Sequence, residues 1–368
     1  MTTPIFSHVA IIGLGLIGSS IARALRASGL ADVISASDIQ QDTIDYAIKE
    51  GFIDGGYLQH EEAAKRADLV VLAVPPAALK EVMQQLQPVL RKGMVLTDVL
   101  SVKQTAMEII HNALPAEVEY VPSHPIAGRE HSGVAAGRAD LFDGKRVIVT
   151  PSEPQQTDAL SRVASWWKAL GGRVEAMPAS VHDTIYSYVS HLPQLLSYAA
   201  RHTLAKHAQN ESLTQFLRIS YSDSRLWADI FANNKGNLIA GLDRYLDAIT
   251  HVQYELSQAP HDANDTQNET LAYATLFPRI ASACLITTVM EAEKNAGIPF
   301  ARYAGTGFTD FVSPARMAPE DDIERISNQH LLISLILKHY IQDLATLKLI
   351  ILEDNWQQLQ QFTQEKAH

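Results

Sequence analysis

Along the first 150 residues, short β-branched apolar runs alternate with amphipathic stretches. The runs cover residues 8–13, 33–38, 69–74, 94–99, 120–122 and 146–150. Between them, apolar positions recur at helical spacing. This alternation predicts a parallel sheet wound with helices on both faces. From about residue 180 the strand signals fade, and long helical periodicities occupy 187–205, 236–256, 275–296 and 326–352. The expected fold class is therefore α/β, a doubly wound sheet, followed by an all-α C-terminal region.

The helical half carries a polar interruption, Ser-Gln-Ala-Pro-His-Asp-Ala-Asn-Asp-Thr-Gln-Asn-Glu, at 257–269. It has little apolar material to bury and reads as a linker. On either side stand helical units that look distantly alike. One runs from His191-Leu-Pro-Gln through Leu217-Arg-Ile-Ser to Asn237 and a helix, the other from Phe277-Pro-Arg-Ile through Gly307-Phe-Thr-Asp-Phe to Asn328 and a helix. A tandem helical duplication and chance likeness between helices both remain open. The expected division is 1–178 for the sheet domain, 179–257 for a first helical domain, 258–269 for the linker and 270–368 for a second helical unit.

Composition narrows the function. With 368 residues, 46% hydrophobic and 19% charged, the chain is long enough for two or more cores. No run long and apolar enough to span a bilayer stands out, and the N-terminus lacks the pattern of a signal peptide, so a cytoplasmic protein without a membrane partner is expected. A formal charge of −11 argues against nucleic acid as a partner. It also requires that any anionic substrate be met by local positive groups. The single cysteine, Cys284, sits in an apolar stretch and reads as a buried thiol, which leaves no disulfide and no cysteine metal cluster. No metal is expected.

The first candidate site follows the first run. Val9-Ala-Ile-Ile-Gly13-Leu-Gly15-Leu16-Ile17-Gly18 has glycines at dinucleotide-binding spacing between a strand and an Ala-rich helix. Gly13 permits a tight turn, Gly15 a close approach of backbone to pyrophosphate, and Gly18 close packing of the helix, whose N-terminus offers its amides. This is the signature of a Rossmann-type domain. Asp38 closes the next strand, where a carboxylate can accept from both ribose hydroxyls, and no Arg or Lys follows it to suit a 2′-phosphate, so NAD is the expected cofactor. The plainer role for Asp38 is to cap the next helix. Val74 and Pro75 form a turn expected to flank the nicotinamide ribose, with an ordinary strand end as the alternative.

Two further segments lie beyond the carboxyl ends of strands, where such sheets bind ligands. They are Thr97-Asp-Val-Leu-Ser101-Val-Lys103 and Pro122-Ser-His124-Pro-Ile-Ala-Gly-Arg129-Glu-His-Ser-Gly133. An imidazole at His124 can accept the proton or hydrogen bond of a substrate hydroxyl while hydride leaves the same carbon. A structural loop histidine is the bland alternative.

Together with Ser190-His191-Leu-Pro193 and Arg218-Ile-Ser-Tyr-Ser-Asp-Ser-Arg-Leu-Trp227-Ala-Asp-Ile230, followed by Asn234 and Asn237, these motifs resemble those of the prephenate and arogenate dehydrogenases. The likeness covers about two-thirds of the chain. It implies NAD-dependent oxidative decarboxylation of a cyclohexadiene, with His124 holding the 4-hydroxyl and Ser101 sharing that hydroxyl and orienting His124. It further implies that His191 helps bind substrate and that Arg218 binds a carboxylate through its planar fork. Lys103 and Arg129 are either solvated or add positive potential for a dianion. Three positions depart from the pattern. Leu100 replaces a usual glycine, Gln194 a frequent histidine, and 212–217 lacks a Gly-Phe-x-Asp run that reappears at Gly307-Phe-Thr-Asp310. In that second copy Ser313 occupies the place of Arg218, with Arg316 nearby as a rival carboxylate ligand.

Family members usually dimerise through one such helical domain, so two copies in one chain would give a monomer imitating half a dimer, with a homodimer as the rival. Gln215 beside Arg218 leans towards prephenate over arogenate. Another β-hydroxyacid-type dehydrogenase would place a lysine on the helix at 187–205, where His191 stands and no lysine appears before Lys206. A non-enzymatic NAD-responsive binding protein would have no need of Ser101, His124 and His191 together.

Overall fold

The computed structural model describes residues 4–128, 132–151, 158–207, 210–259, 268–316, 325–326 and 328–364. The chain forms two compact units, Met1–Asp183 and Thr184–His368.

The first unit holds an eight-stranded sheet of order β3-β2-β1-β4-β5-β6-β7-β8. Its strands are β1 (His8–Ile12), β2 (Val33–Ser37), β3 (Gly55–Tyr57), β4 (Leu69–Leu72), β5 (Val95–Asp98), β6 (Glu119–Pro125), β7 (Arg146–Val149) and β8 (Arg173–Ala176). The apolar runs are continuous because the central strands are covered on both sides. Val9, Ile11, Leu69 and Val71 enter one core. Their neighbours Ala10, Ile12, Val70 and Leu72 enter the other. Strand β1 pairs in parallel with both β2 and β4, so Ile12 lies beside Ser37 and Leu72 at the sheet's carboxyl edge.

Two strands escaped the hydrophobic pattern. β3 is Gly-Gly-Tyr, too short to show a period, and β8 alternates charged and apolar residues at the sheet's edge. The sheet is also not wholly parallel. β6 runs parallel to β5 as far as the pair Asp98 and Pro122, and its second half pairs antiparallel with β7, placing His124 opposite Ile148. His124 thus stands on a strand extension beyond the carboxyl end of β5.

The second unit is helical. A π-helical turn Ser187–His191 leads into the helix Leu192–Thr203, and a second, Ala272–Leu276, leads into Phe277–Ala296. Long helices Lys235–Gln258 and His330–Leu352 pack against each other. The helical half does not divide at the expected linker but clusters as one compact unit. Most of that linker lies outside the described residues, while Asn268 at its end caps Glu269–Leu271 by accepting from the Leu271 amide at 3.0 Å. The stretch Glu269–Ala296 is apolar and long enough to cross a membrane, although no such run stood out in the sequence. Within it, 61% of the most apolar window is buried, as in the core helix of a packed bundle.

Candidate active site

At the end of β1 the chain turns through Gly13, whose φ of 96° favours glycine. A Cβ there would sit 2.5 Å from the Ala73 carbonyl oxygen and 3.1 Å from Val74 Cγ1. A Cβ on Gly18 would collide with the Gly13 carbonyl, so this glycine lets the helix α1 (Leu16–Ser28) rest directly on the turn. Gly15 differs, because nothing lies within 4 Å of a Cβ built on it. The exposed backbone of Gly15, with half-buried Leu16 and Ile17 at the first turn of α1, forms an open anion cradle at a helix N-terminus.

Asp38 stands at the end of β2 and accepts from the Leu14 amide at 2.9 Å and the Gln40 amide at 3.0 Å. These bonds tie it to the glycine turn as well as to the start of the next helix. A carboxylate has about four acceptor positions, which leaves capacity for two ribose hydroxyls. Val74 abuts the same turn, and Pro75 is exposed beside it. An open Gly15 backbone, an oriented carboxylate and the Val74-Pro75 turn fit NAD. A helix-capping role alone does not account for the Asp38 bond to Leu14.

His124 is half-buried, with Nδ1 2.8 Å from Nε2 of His182, whose own Nδ1 lies 2.8 Å from Oδ1 of Asp183. The order of these groups fixes their tautomers. The Asp183 carboxylate accepts from Nδ1–H of His182, so Nε2 of His182 accepts from Nδ1–H of His124. In that tautomer the acceptor lone pair of His124 lies on Nε2, the kind of atom that takes a hydrogen bond from a hydroxyl.

Two shifts support this assignment. Burial lowers the pKa of His182 against the opposing pull of Asp183, which keeps the ring neutral. Burial would raise Asp183, but the bond from His182 and the Gln104 and Lys103 amides outweigh it and hold the carboxyl below its usual range. Those amides donate to Asp183 at 2.9 and 2.8 Å, at the N-terminus of helix Gln104–Ala113. His182 and Asp183 were missed in the sequence, where the only signal was an adjacent His-Asp pair just ahead of the long helix. At Nδ1 the His124 ring is held by His182, an orienting contact additional to the one expected of Ser101. Ser101 remains half-buried in the loop after β5.

Lys103 overturns the expectation of a solvated or substrate-facing cation. Its side chain is fully buried, and its ammonium donates to Asp98 and, at 2.6 Å, to the Ser123 carbonyl. Asp98 also accepts from the Tyr120 hydroxyl at 2.6 Å and the Leu100 amide at 2.9 Å. The Ser123 hydroxyl meets Thr97 Oγ1 at 3.0 Å and accepts from Trp167 Nε1 at 3.2 Å. The residue before His124 is therefore fixed through both its carbonyl and its hydroxyl. Leu100 needs no glycine backbone, since the only non-glycine residue with positive φ among those described is Asp354, and its side chain fills the core. Arg129 lies outside the described residues, as does the side chain of Arg316.

In the helical unit His191 is buried, and Asn234 Nδ2 donates to its Nδ1 at 3.1 Å. Asn237 donates to Asn234 Oδ1 at 2.8 Å, which fixes the amide's orientation. A neutral His191 then carries its proton on Nε2, as a donor suited to a substrate oxygen. Trp227 presents its ring to His191 at 6.2 Å. Arg218 is part-exposed, and its Nε donates to Asp310 Oδ2 at 2.6 Å in an ion pair that also involves Nη2. Gln194, at the departing histidine position, donates to the Ile219 carbonyl at 2.8 Å and so fixes the turn that carries Arg218.

The model of the prephenate dehydrogenase nucleotide-binding domain matches residues 21–176, and that of the prephenate dehydrogenase dimerization domain matches 178–270. The chain belongs to the prephenate dehydrogenase family. Like the cradle around Gly15 and Asp38, this membership makes it an NAD-dependent oxidoreductase. The cyclohexadienyl dehydrogenase of Zymomonas mobilis is 34% identical over 66% of this chain and 86% of that protein. The prephenate dehydrogenase of Bacillus subtilis is 27% identical over 68% of this chain and 70% of that protein. Among solved structures, the prephenate dehydrogenase of Aquifex aeolicus in complex with hydroxyphenyl propionate and NAD+ has a TM-score of 0.60 at 29% identity, covering 81% of this chain and 98% of that one. The dimerization-domain match stops at residue 270, ahead of the second helical stretch of this family member.

Proposed function

We propose that the protein oxidatively decarboxylates prephenate to 4-hydroxyphenylpyruvate, in the cytoplasm and on the route to tyrosine. The observation that carries this reading is the Asp183–His182–His124 chain, which orients the His124 ring and sets its tautomer beyond the end of β5. NAD, when bound, accepts the hydride from C4. As that hydride leaves, positive charge grows on C4 and its oxygen, and His124 stabilises it by drawing on the hydroxyl proton. The bond from C1 to the ring carboxylate breaks, carbon dioxide departs, and its electron pair completes the aromatic ring. The proton stays with the phenol oxygen, so no net proton transfer is needed.

Ser101 would share the 4-hydroxyl with His124. His191 would donate from Nε2 to a substrate oxygen, and Arg218 would meet a carboxylate through its guanidinium, which Asp310 orients. Lys103 would contribute only through the position of His124. Aromatisation drives the chemistry, so positioning of C4 is the protein's main task.

Acceptance of arogenate as a second substrate is favoured by Asp310, a carboxylate beside Arg218 and 3.1 Å from Gln215 that could face an ammonium group. NADH formation with each substrate tests both readings. A kcat/KM at least tenfold higher for prephenate is expected, and a preference for arogenate would reverse the order.

A further inference from the structure

The second unit repeats itself. Each half opens on a π-helical turn, Ser187–His191 in the first and Ala272–Leu276 in the second. Each turn runs into a helix with proline at its second position, Pro193 or Pro278. Such turns are rare, and recurrence at the same place in two segments is a strong mark of common origin.

Further along, Thr214–Leu217 and the tight turn Arg218–Tyr221 match Thr306–Val312 and Ser313–Arg316. The long helices then start from Asn234, with φ −133° and ψ 30°, and Gln329, with φ −132° and ψ 11°. From Phe216 and Phe311 through Arg218 and Ser313 and Asn234 and Gln329 to Tyr245 and Tyr340, the separation along the chain is constant.

The two copies face each other as the subunits of a two-fold dimer would. In such a contact, residue i of one copy touches j of the other and j touches i, and residues on the axis meet their own equivalents. Tyr245 donates to the Ala281 carbonyl at 3.1 Å, and Tyr340 donates to the Leu196 carbonyl at 3.2 Å. Leu196 and Ala281 are equivalent, counted from Pro193 and Pro278. Phe216 meets its equivalent Phe311 at 4.7 Å between ring centroids, Tyr245 meets Tyr340 at 6.4 Å, and Gln215 donates to its equivalent Asp310 at 3.1 Å.

The copies are not interchangeable in chemistry. Leu276 stands where the first has His191, Ser313 where it has Arg218, and Gln329 where it has Asn234. Only the first copy lies within the match to a dimerization domain.

We propose that the second copy is a built-in replacement for a partner subunit. The dimerization contact is made within one chain, which acts as a monomer with a single substrate site. The second copy has lost its own site residues and keeps one contribution to the first. Asp310 binds Nε and Nη2 of Arg218 and acts as a positioning residue, fixing the plane of the guanidinium that meets a substrate carboxylate. The role of Asp310 rests on the assignment of Arg218 to that carboxylate, whereas the monomer does not.

Light scattering on the full chain reads the first part without turnover, so its failure is distinct from a mistaken substrate. A mass of 40.5 kDa, constant across a hundredfold range of concentration, is expected. A species of twice that mass would overturn the internal dimer. For Asp310, the Asp310→Asn variant is expected to raise KM for the dianionic substrate about tenfold, by more than it lowers kcat, while Asp310→Glu restores most of the loss. An Asp310→Asn variant with unchanged or lower KM overturns the positioning role. So does a loss of kcat alone that tracks a fall in melting temperature.

Discussion

His124 Nδ1 and His182 Nε2 stand 2.8 Å apart, and the carboxylate of Asp183 on the far side of His182 determines which of the two nitrogens carries the shared proton. Replacing His182 by Phe removes the acceptor and lets His124 place its proton on Nε2, where it can no longer accept from the substrate hydroxyl. We expect kcat to fall roughly 10²-fold, the lower range for losing a general base, with KM for NAD little changed. Steady-state kinetics decides this, and a His182→Phe variant with the parent kcat would remove the relay from the account.

The same pair makes stability depend on pH. The folded chain holds His182 below its ordinary pKa of 6.5, chiefly through burial, with Asp183 and Asp98 opposing and Lys103 assisting. Below about that pH the unfolded chain binds a proton that the folded one refuses, so stability falls as the solution is acidified. Asp183, held below its usual 3.8, adds stability that is present above that value and lost only as pH drops through its lower folded pKa. Urea midpoints are therefore expected to be lower at pH 5.5 than at pH 7.5, and His182→Phe should flatten the difference.

Lys103 is expected to matter for folding rather than for substrate affinity. Lys103→Met leaves Asp98 buried without its cation, and breaking such a pair costs about 3–5 kcal/mol. Denaturant unfolding should show that loss. An unaltered midpoint with a raised substrate KM would return Lys103 to the substrate.

Asp38 is proposed to hold the adenosine ribose and so to favour NAD. Asp38→Ala removes two prospective hydrogen bonds to the ribose, and a loss of about 1.5 kcal/mol corresponds to roughly a tenfold weaker KM for NAD. Titration of NAD by fluorescence measures it directly. Unchanged affinity would leave Asp38 as a helix cap.

If the helical copies are related by two-fold symmetry, their equivalent tyrosines should contribute alike. Tyr245→Phe and Tyr340→Phe each remove one buried hydrogen bond, worth about 1 kcal/mol. Comparable shifts in unfolding free energy are expected from the two variants, and a large effect from one alone would argue that the contacts are not equivalent.

Much of the nucleotide half was legible because a sheet covered on both faces leaves continuous apolar runs, and because a glycine turn has only one residue type that fits Gly13 or Gly18. The strands β3 and β8 were not, since an edge strand needs no apolar pattern. The strand-end positions expected for His124 and Asp38 are those the structure shows. His182 and Asp183 could not be read from the sequence, because His182 reaches His124 across 58 residues of chain, with Asp183 behind it, and nothing local marks that meeting. Lys103 misled for the opposite reason. In sequence a lysine after a strand end looks solvated, and only the tertiary contact with Asp98 shows it buried. The likeness of the two helical stretches is faint in sequence because Leu276, Ser313 and Gln329 differ from His191, Arg218 and Asn234, whereas the π-helical turns and the facing tyrosines show only in the structure.

The most direct test is NADH formation from NAD and prephenate by the full chain beside its His124→Asn variant. Turnover by the parent and a fall of at least about 10²-fold in the variant, with NAD still bound, are expected. A parent that binds NAD but leaves prephenate unchanged, or a variant that turns over as fast as the parent, would contradict the proposed mechanism.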